Sequence, residues 1–229
     1  MEKVVVSLGG SVLVPGDDDA RHLRDLAALL RDVSARVKLF VVTGGGRVAR
    51  YYIETGRDLG VGERTLDELG IAVTQLNARL LAAALEGRAN RDPATTYAQA
   101  AKLARRFPIV VMAGTRPGHT TDRVSASLAR LVHAVRIVNA TSVDGVYSTD
   151  PKTNPEARRF DTLSYEELVR LAGTGHGRAG PAIVFDPQAA RFVARWRIPV
   201  AVVHGRNLDA LRNAILGLPF RGTTIGAWG

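Results

Sequence analysis

The 229-residue sequence contains no cysteine. That excludes disulfides, thiolate metal sites and a cysteine nucleophile, while leaving the redox compartment open. Aromatic residues make up 6% of the chain and are not interleaved with a basic block, so the stacking platforms of nucleic-acid modules are missing. No apolar run approaches the roughly 20 residues of a membrane span, and Met1-Glu2-Lys3 opens straight into an apolar strand rather than an export signal. The expectation is a cytoplasmic protein without a membrane partner. Two familiar nucleotide fingerprints are also missing, the P-loop pattern GxxxxGK followed by Ser or Thr and the dinucleotide pattern GxGxxG. His176 and His204 lack ligand-like spacing, and no protein-held metal is expected.

What is present is an ordinary globular composition, 46% hydrophobic and 23% charged, long enough for one large α/β domain or two intimately packed lobes. The formal net charge of +9 comes from 31 Lys and Arg against 22 Asp and Glu. Arginines are scattered through almost every expected helix, which reads as a solvated basic surface that assists anionic ligands, with nucleic acid as the lesser reading. Val4–Leu8, Val37–Val42, Ile109–Met112, Val135–Ala140 and Val200–His204 read as strands, near-continuously apolar as in a sheet covered on both faces. Helical spacing follows most of them. Leu23–Val33 is preceded by Asp17-Asp18-Asp19 as a capping region. Val48–Leu59 follows a glycine turn, and 67–85 places Leu69, Ala72, Val73, Leu76, Leu80 and Ala83 on one face. A helix is expected near 94–106, and one over Asp122–Val132 with Val124, Leu128, Leu131 and Val132 facing inward. Ser164 and Glu167 form a capping box, Asp186-Pro187 starts a further helix, and Leu208–Leu216 supplies the last. The glycine-rich stretch 173–180 reads as a mobile loop or lid. Such alternation predicts right-handed crossovers in a mainly parallel sheet.

Three glycine turns, at 9–10, 44–46 and 114–118, each follow a strand and should converge on one sheet edge. One such turn means little, since a tight turn needs glycine anyway; three together mark a phosphate-handling cleft. The third lies within AGTRPGHTTD at 113–122, which adds a cation, two hydroxyls and a carboxylate. Asp122, at a helix start, is either an N-cap or a group that orients a hydroxyl, a ribose or a metal-bound water. His119 is either a turn residue or a contact to phosphate, and Tyr147 either stacks on a base or packs.

These segments carry a resemblance. VSLGGSVL at 6–13, VVTGGGRVARYY at 41–52, LDELGIAVTQLNARLLAAAL at 66–85, AGTRPGHTTD, NATSVDGVYSTDPK at 139–152 and IVFDPQAARFVAR at 183–195 resemble the archaeal-type uridylate kinases of the amino acid kinase family, over nearly the whole chain. The resemblance implies a three-layer αβα sandwich, ATP as donor, UMP as acceptor, Mg²⁺ held mainly by nucleotide phosphates, and a homohexamer. Residues 1–135 would be mainly the UMP lobe with the phosphate loops, and 136–229 mainly the ATP lobe. By motif, Gly9, Gly10, Ser11, Gly45 and Arg50 would meet the ATP phosphates, and Thr141, Ser142, Tyr147 and Asp150 the adenosine. Gly44, Asp67, Gly114, Thr115, Arg116, Pro117, Gly118, His119, Thr120, Thr121 and Asp122 would face UMP. Asp122, Arg50 and Gly10 form the expected catalytic set.

Phosphoryl transfer asks chiefly for positioning and charge neutralisation. A phosphate acceptor is already ionised at neutral pH, which accounts for the lack of a general-base motif. One departure concerns Ser7, where many members of the wider family have Lys. The cation facing the transferring phosphate is left open among Lys152, Arg50, Arg116 and Mg²⁺. The alternatives are another small-molecule kinase of the same fold, such as an isopentenyl phosphate or acetylglutamate kinase, or a non-catalytic nucleotide- or RNA-binding regulator. Against the isopentenyl phosphate kinases, Arg47-Val48-Ala49-Arg50 stands where they carry a histidine.

Overall fold

The computed structural model describes residues 1–16, 18–151, 153–173 and 185–228. Strands β1 (Lys3–Leu8), β2 (Lys38–Thr43), β3 (Ile109–Met112), β4 (Arg136–Thr141) and β8 (Val200–His204) run parallel. With β7 (Thr162–Leu163) and β9 (Thr223–Ile225) they form a seven-stranded sheet ordered β3-β2-β1-β4-β8-β9-β7, in which β9 is antiparallel to β8. A separate hairpin pairs β5 (Val146–Tyr147) with β6 (Arg159–Phe160). The helices are α1 (Gly10–Leu13), α2 (Asp19–Val33), α3 (Gly46–Asp58), α4 (Glu63–Ala84), α5 (Tyr97–Leu103), α6 (Thr121–Val132), α7 (Tyr165–Ala172), α8 (Pro187–Trp196) and α9 (Leu208–Leu216).

Side chains on a strand alternate between faces, and this assigns the helices to two layers. Val4, Val6 and Leu8 of β1 pack with Leu26 and Leu30 of α2, Leu81 of α4 and Leu211 of α9. Val5, on the opposite face, packs with Ala100 of α5, Leu128 of α6, Leu168 of α7 and Val193 of α8. The result is the expected three-layer αβα sandwich. From β1 the chain builds outward through β2 and β3, then returns to lay β4 on the other side of β1. Ligands of open α/β sheets bind at such a reversal, beyond the carboxyl ends of the strands. Among the described residues, no helix is long and apolar enough to cross a membrane.

The local signals for helix ends are largely realised. Ser164 and Glu167 form the reciprocal capping box of α7, and Asp186 caps α8 with Pro187 in its first turn. Elsewhere the structure departs from the sequence reading. The N-cap of α2 is Asp18 in a left-handed conformation with no side-chain capping bond, and Asp19 instead accepts the Gly16 N–H at 2.8 Å; Asp17 is outside the described residues. In α4, Leu76 is 63% exposed and Leu80 46%, while Leu66, Val73, Asn77, Ala78 and Leu81 are buried. Apolar residues occupy more than one stripe of this helix, and spacing alone does not reveal which stripe meets the sheet. For the same reason Leu131 of α6 is 50% exposed.

The turns after β1 and β2 interlock backbone to backbone. A Cβ at Gly10 would lie 2.3 Å from Gly46 N, 2.5 Å from Gly44 O and 2.5 Å from Gly45 C. Gly46 itself has φ +65°, a left-handed conformation that side chains disfavour. No flexible side chain lies at either contact to give way. Gly10→Ala is therefore expected to lower stability by about 1–3 kcal/mol, as forced overpacking does, and to abolish activity. Thermal denaturation and turnover of the purified variant check both.

Candidate functional site

Ser7 lies on the face of β1 that meets α6, and it donates a hydrogen bond to Asp122 Oδ1 at 3.1 Å. Asp122 is not the N-cap of α6. Thr120 is, accepting the Arg123 N–H at 3.1 Å, which leaves the Asp122 carboxyl group free to point between β1 and α8. There its Oδ2 accepts the Asp186 N–H at 3.3 Å. Asp186 is buried and divides its oxygens: Oδ1 caps α8 through Gln188 N at 2.8 Å and Ala189 N at 3.0 Å, and Oδ2 accepts from the Thr120 hydroxyl. Ser7, Asp122, Asp186 and Thr120 thus form one hydrogen-bonded chain behind the cleft. The sequence marked Asp186 only as a helix start; a capping carboxylate needs one oxygen for the cap and keeps the other for a distant partner.

Burial of its carboxyl group, and then the neighbouring Asp186 carboxylate, raise Asp122 to about 7, against the lowering effects of the Ser7 hydroxyl and the Asp186 N–H. Desolvation and like charge both disfavour the ionised form. His119 moves the other way: burial first, then Arg116 and Arg123, lower it from its ordinary value. Arg116 Nε donates to His119 Nε2 at 3.1 Å, which assigns the proton of the neutral ring to Nδ1. That nitrogen is buried and has no partner among the described residues.

Two cavities meet at the carboxyl edge of the sheet. One, of about 250 Å³, is lined by Gly9, Gly10, Ser11, Gly44, Gly45, Gly46, Arg50, Thr121, Thr141 and Ser142. Arg50 reaches it from α3 and donates to the Ser11 hydroxyl at 3.1 Å. The second, of about 290 Å³, is lined by Gly45, Asp67, Gly70, Ile71, Thr74, Gly114, Arg116, Pro117, Gly118, His119, Thr120 and Thr121. Asp67, on α4, accepts the Gly118 N–H at 2.7 Å and so holds the third glycine turn against that helix. Gly45 and Thr121 belong to both linings. Gly44, assigned by motif to the acceptor side, faces the other cavity.

Not every expected residue lines this cleft. Thr115 lines neither cavity, and its hydroxyl is buried without a partner among the described residues. Tyr147 and Asp150 also line neither. The Tyr147 hydroxyl donates to Asp144, which also accepts from Arg159 at 3.2 Å and Arg221 at 3.0 Å, so this tyrosine belongs to a network beside the β5–β6 hairpin. Lys152, His176 and the expected lid beyond Gly173 lie outside the described residues. Among the described residues there is no group of three or more His, Cys, Asp or Glu able to hold a metal ion.

Residues 2–204 match the model of the amino acid kinase family. The chain is 43% identical over 227 residues to a uridylate kinase of Methanocorpusculum labreanum, covering 99% of this chain and 96% of that protein. The crystal structure of uridylate kinase from Archaeoglobus fulgidus matches with a TM-score of 0.87 at 39% identity, over 99% of this chain and 100% of that one. A UMP kinase of Bacillus anthracis, 22% identical, shares the fold with a TM-score of 0.82 over 98% and 96% of the two chains.

The raised Asp122 has a consequence for stability. The folded state holds this proton more tightly than the unfolded chain, whose value is the ordinary 3.8. The stabilisation is complete below pH 4 and is lost as pH rises through about 7, a change of a few kcal/mol in all. Asp122→Asn, which keeps the shape without the titration, is expected to flatten the fall of the melting temperature between pH 5 and pH 8. Melting curves of both proteins without nucleotide decide it; an equal fall in the two would show that Asp122 is ionised throughout.

Proposed function

The chain belongs to the amino acid kinase family, and we propose that it works as a uridylate kinase, transferring the terminal phosphate of ATP to UMP to give UDP and ADP. The observation that carries this reading is the pair of cavities that share Gly45 and Thr121 as a common rim. Two phosphorylated ligands entering from opposite ends would meet at that rim, the in-line arrangement that phosphoryl transfer needs. The larger cavity, with Asp67 and the 114–121 turn, takes UMP. The smaller, flanked by the β1 and β2 turns and by Thr141 and Ser142 at the end of β4, takes the ATP phosphates. Residues 1–135 are then mainly the UMP lobe together with the phosphate loops, and 136–229 mainly the ATP lobe.

The residues supply what the chemistry asks. Backbone N–H groups of the glycine turns bind phosphate oxygens without side chains between them. Arg50 and Arg116, at the two cavities, offset the repulsion between the anionic substrates. Asp122, raised to about 7 by burial and by Asp186, carries less negative charge toward the incoming phosphates than an ordinary carboxylate would, and it accepts from Ser7 and from the start of α8. No base is needed, because the attacking oxygen belongs to an ionised phosphate. Mg²⁺, held mainly by the nucleotide phosphates, neutralises charge on the transferring group. We place the enzyme in the cytoplasm.

We also propose that the chain self-associates, a homohexamer being what the family resemblance implies. Support comes from the outer face of α3 and α4, where Tyr51 is 66% exposed beside Tyr52, Leu76 and Leu80. Tyr52 and Leu76 line one shallow surface pocket together, and exposed apolar side chains gathered on neighbouring helices suit an interface between copies.

Two assays test these readings. ADP release with ATP and Mg²⁺, measured across UMP, CMP, dUMP, AMP, GMP and isopentenyl phosphate, should be fast with UMP and at least about tenfold slower with AMP, GMP or isopentenyl phosphate; turnover with another acceptor but not UMP would refute the assignment. Asp67→Asn should raise KM for UMP about tenfold or more with little change for ATP, since a lost hydrogen bond to a bound substrate costs on that order. The reverse pattern would place this acid beside the wrong nucleotide.

A further inference from the structure

We infer that Asn77, which touches neither cavity, is the positioning residue that aims the Gly45 and Gly46 N–H groups at the transferring phosphate; this rests on the kinase reading above. Asn77 lies on α4, is 5% exposed and lines neither cavity. Its Nδ2 donates to Gly44 O at 2.8 Å and to Gly45 O at 3.4 Å. One side-chain amide therefore turns two successive carbonyls of the second glycine turn toward the helix.

Peptide geometry carries the consequence across the turn. In a planar trans peptide the C=O of one residue and the N–H of the next point in opposite directions. With the Gly44 and Gly45 carbonyls drawn to α4, the N–H groups of Gly45 and Gly46 point away from it. Both residues line the smaller cavity with Gly10 and Arg50, and Gly45 also lines the larger one, so a phosphate at the shared rim lies within reach of these donors. Neither N–H has a backbone acceptor among the described residues. Gly45 O also accepts the Ala49 N–H at 3.4 Å in the first turn of α3, so the Gly44–Gly45 peptide, held through Gly44 O at 2.8 Å, depends most on Asn77, since glycine has the freest backbone of any residue. A peptide flip would present carbonyl oxygens to a phosphate.

The same helix holds the other half of the cleft by a different bond. Thr74, three residues earlier, accepts the Gly114 N–H on its hydroxyl at 2.8 Å while donating to Ile71 O at 2.7 Å. Thr74 and Gly114 line only the larger cavity. Two neighbouring positions of α4 thus set two loops, and their roles separate: Asn77 governs donors to the transferring group, and Thr74 the wall of the acceptor site.

The separation gives the test. Asn77→Ser, whose hydroxyl is too short to reach both carbonyls, is expected to lower kcat about 10- to 100-fold, the order seen for lost or misaimed oxyanion donors. KM for both substrates should stay within about threefold. Thr74→Val should instead raise KM for UMP and lower kcat less. If Asn77→Ser keeps the wild-type kcat, or if both variants lose kcat and KM in the same proportion as a merely loosened helix would, the assignment is overturned. Wild-type protein in the same assay separates the two readings: no turnover of UMP there defeats the proposed reaction, whereas turnover with an unaltered Asn77→Ser defeats only the role of Asn77. Should Asn77→Ser not fold, ¹⁵N-glycine-labelled wild-type protein decides. Gly45 and Gly46 amides should shift further with a non-hydrolysable imido analogue of ATP than with ADP, and equal shifts would overturn the proposal.

Discussion

The site depends on a contact between two stretches of bare backbone. Where β1 and β2 end, Gly10 meets the Gly44–Gly46 turn so closely that a single added carbon would overlap main-chain atoms. Parallel strands set this meeting. β1 and β2 are paired in register up to Leu8 and Thr43, so the turns that follow leave the sheet side by side. Once in contact, they line one cavity with main-chain atoms of Gly9, Gly10, Gly44, Gly45 and Gly46. The scaffold then has a narrower task, which is to hold main-chain groups of known geometry rather than to place reactive side chains.

That task falls mainly to α4. Through Asp67, Thr74 and Asn77 one helix holds Gly118, Gly114 and Gly44, so the second and third glycine turns share a rigid reference. Leu66, Ala78 and Leu81 bury the same helix against the protein, at roughly 1.5–3 kcal/mol for each large apolar side chain. Buried apolar contact thus fixes the rod, and short polar side chains along it fix the loops. The precision of the site therefore lies on the inner face of this helix, leaving the exposed Leu76 and Leu80 on its outer face free of that task.

Which parts were legible in the sequence follows from this division. Glycine turns, the capping box at Ser164 and the Asp186-Pro187 helix start were readable because each is a local device whose residues are neighbours in the chain. The strand pattern and the sandwich followed from near-continuous apolar runs. Asn77 was invisible, since its value comes from carbonyls more than 30 residues away, and an asparagine within an apolar helix carries no local sign of its partner. Asp186 was half seen: the cap was legible and the link to Asp122 was not. Leu76 and Leu80 were misplaced because helical spacing defines stripes without saying which one the sheet will cover.

The Asp122–Asp186 pair shows how one residue type alters its neighbours. Among the described residues, Asp122 has the Ser7 hydroxyl and the Asp186 N–H as its hydrogen-bond donors, and the charged group that perturbs it is another carboxylate. Both donors are neutral. A lysine at position 7 would set a cation against this carboxyl group and favour its ionised form. With serine there, burial and Asp186 raise Asp122 to about 7, and its oxygens accept from Ser7 and from the start of α8. The missing cation is therefore not replaced within the chain at this point. Under the proposed reaction, Arg50 and Arg116 at the two cavities, with Lys152 and the ion that would accompany the nucleotide, are the groups that would neutralise the transferring phosphate.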